Sequence, residues 1–181
     1  MASTPAATRE KGTDAMSAVN VWFTRRIPIM LAMCLLPAVI SVASAQDDAH
    51  VGTWDLNLER STFSPGPPPR RQTLWYKAEG KGLTALLQGV DAAGKSIGLD
   101  TSNLVINFDG KDHPTASANY DSSAWTRIGA NKYVVYRKKA GKVVLTSTNI
   151  VSDDGETMTI TTTGVGEDGR PINNVRVYNK R

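Results

Sequence analysis

The stretch Val51-Gly-Thr-Trp-Asp-Leu-Asn-Leu58 alternates with a period of two: Gly52, Trp54, Leu56 and Leu58 share one face, and Thr53, Asp55 and Asn57 share the other. That pattern predicts a half-buried strand. Onward to Arg181, segments of seven to twelve residues rich in Thr, Val, Tyr and Ile are separated by turn chemistry, at Asp91–Gly94, Asp109-Gly110, Gly129–Asn131, Ala140-Gly141, Asp153–Gly155 and Asp168-Gly169. Asp-Gly pairs supply the positive φ that tight hairpins need. The spacing predicts ten strands, at about 51–58, 71–78, 83–90, 96–107, 111–117, 123–128, 132–139, 143–151, 157–163 and 172–180. No window carries a sustained helical period. The expected fold is all-β: a single up-and-down antiparallel barrel of about 8–10 strands, the arrangement that removes exposed sheet edges.

Residues 1–45 read differently. Arg25-Arg26 precede an apolar run from Ile27 to Ile40, and Ser41-Val-Ala-Ser-Ala45 follows with small residues at Ala43 and Ala45. A basic start, a short apolar core and an A-x-A site predict a secretory signal peptide. The run is too short, and too rich in proline, to span a hydrocarbon core of about 30 Å. Cleavage is expected after Ala45, leaving 46–181 as one domain, and Met16 offers an alternative start that gives a leader of ordinary length. Ile27-Pro28 suit the twin-arginine route poorly, so the general export route is expected, with a periplasmic or secreted product. Cys34, the only cysteine, lies in the leader, and Met33 before it does not fit a lipoprotein site. The exported domain therefore has no disulfide, no thiol nucleophile and no cysteine metal site. Domains near its size bury roughly two thirds of their surface and fold on their core alone.

Charge excludes one class of partner. Four of the 21 basic and two of the 17 acidic residues precede Gln46, leaving a net +2. That is a mixed solvated surface rather than a nucleic-acid footprint. Arg137-Lys138-Lys139, with Lys142 nearby, sits at a hairpin end and reads as a solvated turn in preference to a phosphate site. Enzyme chemistry finds little support. Gly164-Val-Gly-Glu-Asp-Gly169 matches a dinucleotide fingerprint by letter, but Arg170-Pro171 and a strand follow where a helix is required. His50 lies at a ragged N-terminus and His113 precedes Pro114, with no metal-ligand spacing between them. There is no G-x-S-x-G elbow, and Asp153-Asp154-Gly155 lacks the pattern of a calcium loop. No catalytic residue, metal site or cofactor is expected.

The closing strand, Asn174-Val-Arg-Val-Tyr-Asn-Lys-Arg181, carries the best candidates. Arg176 and Tyr178, at i and i+2, share a face and could converge on one carboxylate. Three placements stay open for Arg176: ligand contact, stacking on Trp54, or solvent with Val175 and Val177 as the core. Trp75, Trp125, Tyr133 and Tyr136 could line an apolar pocket, fill the core or sit outside on the sheet. Gly52-Thr53-Trp54 resembles the Gly-x-Trp start of lipocalins and fatty-acid-binding proteins, and Arg176-x-Tyr178 resembles the last strand of the latter. The whole exported domain is also similar to bacterial exported lipocalin-like proteins that begin Gly-Thr-Trp and carry a Ser-Pro-Gly-Pro loop. The resemblance implies a barrel floored by Trp54 and a carboxylate held by Arg176 and Tyr178. It implies a second cavity arginine about twenty residues earlier, but no Lys or Arg occurs from Val143 to Gly169, so Arg176 would act alone. It also implies a helical lid, which Pro65-Gly-Pro-Pro-Pro69 forbids.

The expected function is therefore a monomeric exported barrel that binds a small apolar or amphipathic molecule, with Arg176, Tyr178 and Trp54 as ligand-binding residues. The competing reading is a non-enzymatic interaction or inhibitor module with a packed interior, its contact the Phe63–Arg71 loop. An outer-membrane barrel is disfavoured by Lys180-Arg181 at the end and by the lack of an outward apolar band.

Overall fold

The computed structural model describes residues 48–181 apart from 101–104, 116 and the side chain of Asp100; the leader, Met16 and the expected cleavage site lie outside the described residues. Ten strands form one antiparallel sheet: β1 Gly52–Thr62, β2 Arg71–Glu79, β3 Gly82–Val90, β4 Ser96–Asp100, β5 His113–Pro114, β6 Ser122–Gly129, β7 Lys132–Lys139, β8 Lys142–Val151, β9 Thr157–Val165 and β10 Pro171–Lys180. The order is β4-β3-β2-β1-β10-β9-β8-β7-β6-β5. The first and last strands pair, as the sequence predicts, with Trp54 opposite Lys180 and Leu56 opposite Tyr178. No helix occurs among the described residues, and none there is long and apolar enough to cross a membrane.

The two outer strands differ from expectation. The predicted 111–117 strand shrinks to His113–Pro114. Pro114 has no N–H to donate to a ladder, and the Asp109 carboxylate takes the Lys111 N–H at 3.0 Å and the His113 ring at 3.0 Å, turning the chain back on itself. Of the predicted 96–107 strand, the described residues form β4 at Ser96–Asp100 and, beyond 101–104, the beginning of a strap. Ile106 bridges Leu83 of β3, and Asp109 bridges Thr126 of β6. The strap thus ties together the two halves of the sheet, whose outer strands β4 and β5 do not pair with each other. Gly82 permits it: a Cβ there would lie 2.3 Å from the Ile106 carbonyl oxygen.

Alternation sets the interior. Gln72, Leu74 and Tyr76 of β2, Tyr133 and Val135 of β7, Ser147, Asn149 and Val151 of β8, and Met158, Ile160 and Thr162 of β9 are buried at every second position. One end is packed solid around Trp54, Leu83, Tyr133, Met158 and Tyr178.

Below this core the segment just before β1 forms a plug. His50, expected at a ragged terminus, is fully buried. Its ring stacks on Tyr133 at 4.0 Å, and Phe108 stacks on Tyr133 at 4.4 Å. The Trp54 indole donates to the His50 carbonyl at 2.8 Å. Asp48, also buried, accepts from the His50 backbone N–H, the His50 ring, the Arg127 guanidinium and the Tyr133 hydroxyl. Burial alone would raise the Asp48 carboxyl, but the hydrogen bonds from His50 and the charge of Arg127 outweigh it and hold the group below 3.8.

Gly82→Ala should destabilise the fold by roughly 1–3 kcal/mol in urea denaturation, since the new methyl group meets backbone that cannot move aside. The Asp48 carboxyl is depressed in the folded state, so its stabilisation is present above its unfolded pKa and drains as pH falls through the folded one. The urea midpoint should therefore drop as pH falls below about 4, the unfolded carboxylate value, and keep dropping through the depressed folded one. Asp48→Asn should cost about 3 kcal/mol at pH 7 and flatten that drop.

Candidate ligand-binding site

Above the packed end the interior opens into a cavity of about 100 Å³. Its walls are largely apolar, with Leu74, Leu87, Leu99, Ile160 and Trp125 among them, and its polar groups include Tyr76, Arg137, Asn149 and Arg176, with Thr115, Tyr120 and Ser123.

Arg176 takes the inward placement. It lines this cavity and also a depression of about 400 Å³ at the rim, formed with Phe63, Pro67, Pro69 and Ile97. The proline loop is held there by two hydrogen bonds: the Ser64 N–H donates to the Asn174 side chain at 2.8 Å, and the Asn173 N–H donates to the Ser64 carbonyl at 2.7 Å. Arg176 does not stack on Trp54; the Lys180 ammonium occupies that position, 5.2 Å from the ring centroid. Tyr178 also points inward and is fully buried, but its hydroxyl donates to Gln72 Oε1 at 2.6 Å and it does not line the cavity. Trp54 lies in the packed end, away from the cavity lining. Val177, on the opposite face of β10, is buried as well, beneath the irregular pairing where Ser61 Oγ accepts its N–H at 2.9 Å.

Arg137 departs most from its reading as part of a solvated turn. Lys139 is exposed, but Arg137 turns inward and lines the same cavity as Arg176. The signal was available: Tyr133, Val135 and Arg137 stand at i, i+2 and i+4 on one strand face. Arg176 therefore does not act alone, and its companion comes from β7 rather than from the stretch twenty residues before it.

The two guanidiniums are joined by a row of hydroxyls across four neighbouring strands. Arg137 Nη1 donates to Ser147 Oγ at 2.8 Å, Ser147 Oγ and Thr162 Oγ1 are 2.9 Å apart, and Arg176 Nη2 donates to Thr162 Oγ1 at 3.3 Å. Ser147 and Thr162 are register partners, and each arginine reaches its hydroxyl diagonally from the next strand. Among the described residues, neither arginine has a carboxylate within ion-pair distance. Arg176 Nε is buried with no hydrogen-bond partner, and so is Asn149 Oδ1. Asn149 reaches only the Tyr76 hydroxyl, at 3.5 Å. Burial pushes both phenols up, reinforced for Tyr76 by neighbouring Tyr178 and opposed for Tyr178 by Arg176, so both stay neutral donors at ordinary pH. Tyr120 closes the side of the cavity with its ring 5.4 Å from the Arg137 guanidinium.

The arrangement is a low-dielectric chamber with two cations, no internal counter-ion among the described residues and an apolar wall. Chemically it can hold an anion and the apolar body attached to it. No group of acidic, histidine or cysteine side chains suited to a metal ion occurs among the described residues.

No protein-family model matches the chain, and no curated protein matches it. Among solved structures, it is similar to zebrafish ileal bile acid-binding protein, crystallised with cholic acid, at 14% identity and a TM-score of 0.47 over 74% of this chain and 99% of that one.

Lone interior cations weaken a fold unless something pairs with them. Arg137→Met and Arg176→Met should each leave stability unchanged or raise it by about 1 kcal/mol in urea denaturation, because Ser147 and Thr162 still pair with each other. A loss above roughly 2 kcal/mol would make the arginines structural.

Proposed function

We propose that this chain is an exported, monomeric, non-enzymatic barrel that binds a small amphipathic carboxylic acid, with the carboxylate between Arg137 and Arg176. The observation that carries this reading is the pair of inward guanidiniums with no carboxylate within ion-pair distance of either among the described residues. Arginine's planar fork matches a carboxylate in two parallel hydrogen bonds, and the fork of Arg176 has a buried Nε still unused. The acid would enter beneath the proline loop, past Arg176, which borders both the rim depression and the interior. Leu74, Leu87 and Ile160 would take its apolar part. Export rests on the leader in residues 1–45, and places the protein in the periplasm or outside the cell.

The cavity sets the scale of the ligand. Small-molecule sites usually enclose roughly 300–1,000 Å³, and about 100 Å³ suits a compact acid better than a long acyl chain.

Isothermal titration of the 46–181 domain with short branched carboxylic acids tests the proposal. Binding should be present, should weaken as salt rises, and should fall about ten- to a hundredfold in Arg176→Met and in Arg137→Met. Affinity unchanged in both variants, or no binding of any carboxylate, would overturn it.

A further inference from the structure

We infer that the ligand is a hydroxy acid, a carboxylate carrying a hydroxyl group close to it; this rests on the carboxylate reading above and narrows it. Two polar atoms at the cavity lack partners, and they are of opposite kind. Arg176 Nε is a donor, and Asn149 Oδ1 is an acceptor. Asn149 is 2% exposed, so water outside the barrel does not reach it freely. A simple fatty acid satisfies the donor and leaves the acceptor stranded, because a hydrocarbon chain has no hydrogen to offer. A molecule with both a carboxylate and a donor group satisfies both from within one cavity. The difference matters because a buried polar group left unpaired carries the full penalty of desolvation.

Charge decides which donor. An amino acid would offer an ammonium to Asn149, but it would bring a third cation into a chamber that already holds Arg137 and Arg176. At low dielectric that repulsion is severe. A hydroxyl donates without charge. The polar neighbours of Asn149 agree with this: the Tyr76 hydroxyl sits at a long 3.5 Å from Asn149 Nδ2, and its proton is firmly held because burial pushes its pKa up. That hydroxyl can turn toward an incoming oxygen while Asn149 Oδ1 accepts from it. Size agrees as well. At roughly 10–15 Å³ for each water-sized occupant, a chamber of about 100 Å³ takes a compact molecule. The walls of Leu74, Leu87, Ile160 and Trp125 favour a branched or aromatic body.

A matched series on one carbon skeleton separates the possibilities: 2-hydroxy-4-methylpentanoate, 4-methylpentanoate and leucine, with palmitate as the long-chain arm. Titration calorimetry on the 46–181 domain should rank the hydroxy acid about tenfold or more above the plain acid, and leucine should bind weakest of the three. Asn149→Leu should abolish the roughly tenfold preference, so that the hydroxy acid and the plain acid bind with equal affinity. A thermal midpoint measured without ligand confirms that this variant folds, and the wild-type ranking stands as a test whatever the variant does. Equal affinity for the hydroxy and plain acids, a preference for leucine, or palmitate displacing the hydroxy acid would overturn the inference while leaving the carboxylate reading standing. No binding by any of the four would overturn both.

Discussion

The pairing of β1 with β10 is the constraint on which the rest of this molecule depends. Without it the sheet is two separate ribbons, β4 to β1 and β10 to β5. With it, a residue of the last strand faces residues of the second: Tyr178 reaches Gln72 across the seam at 2.6 Å. The outer face is stapled as well, because Arg181 grips both oxygens of Asp55 at 2.8–3.0 Å. The seam's irregular stretch between Asn57 and Thr62 lets Ser61 fold under β10 and accept from Val177. The cavity exists because the two ribbons curve toward each other on either side of this seam, and the strap at Ile106 and Asp109 holds their far edges together.

Within that enclosure the polar groups fall into two kinds. Some are closed accounts: Tyr178 with Gln72, Trp54 with the His50 carbonyl, Asp48 with Arg127 and Tyr133. Others are open, and these are Arg137, Arg176 and Asn149, which share one wall of the same cavity. A chain under selection for stability alone would fill such positions with Leu or Met, which need no partner. Sites that bind are where folds tolerate such unmet demand.

Much of the fold was legible because period-two alternation and turn residues are local signals. β2, β7, β8 and β9 declare their inner faces by alternation, and Asp153-Asp154-Gly155 and Ala140-Gly141 mark hairpins that form where expected. The misread segments are those where a side chain competes with the ladder, as Asp109 does ahead of Pro114. The parity of β10 was undecidable from its own residues, since Val177 and Tyr178 are both buried on opposite faces. It is settled only by what lies across the seam. Arg137 was hidden by its neighbours in sequence: Lys138 and Lys139 make it look like part of a charged turn, although its spacing from Tyr133 and Val135 places it inside. Asp48 and His50 carry no periodic signal at all, because they precede the first strand and are held by each other, by Trp54 and by the side chains of Arg127 and Tyr133 far along the chain.

That distance has a consequence for the order in which the molecule can be assembled. Asp48 and His50 leave the ribosome early, yet the groups that hold Asp48 lie 79 and 85 residues further on. Closing loops of that length is slow relative to forming a hairpin. The meander from β6 to β10 can zip up hairpin by hairpin, while the segment before β1 waits, its carboxylate and imidazole still in water. The plug therefore cannot close before β6 and β7, which carry Arg127 and Tyr133, are in place.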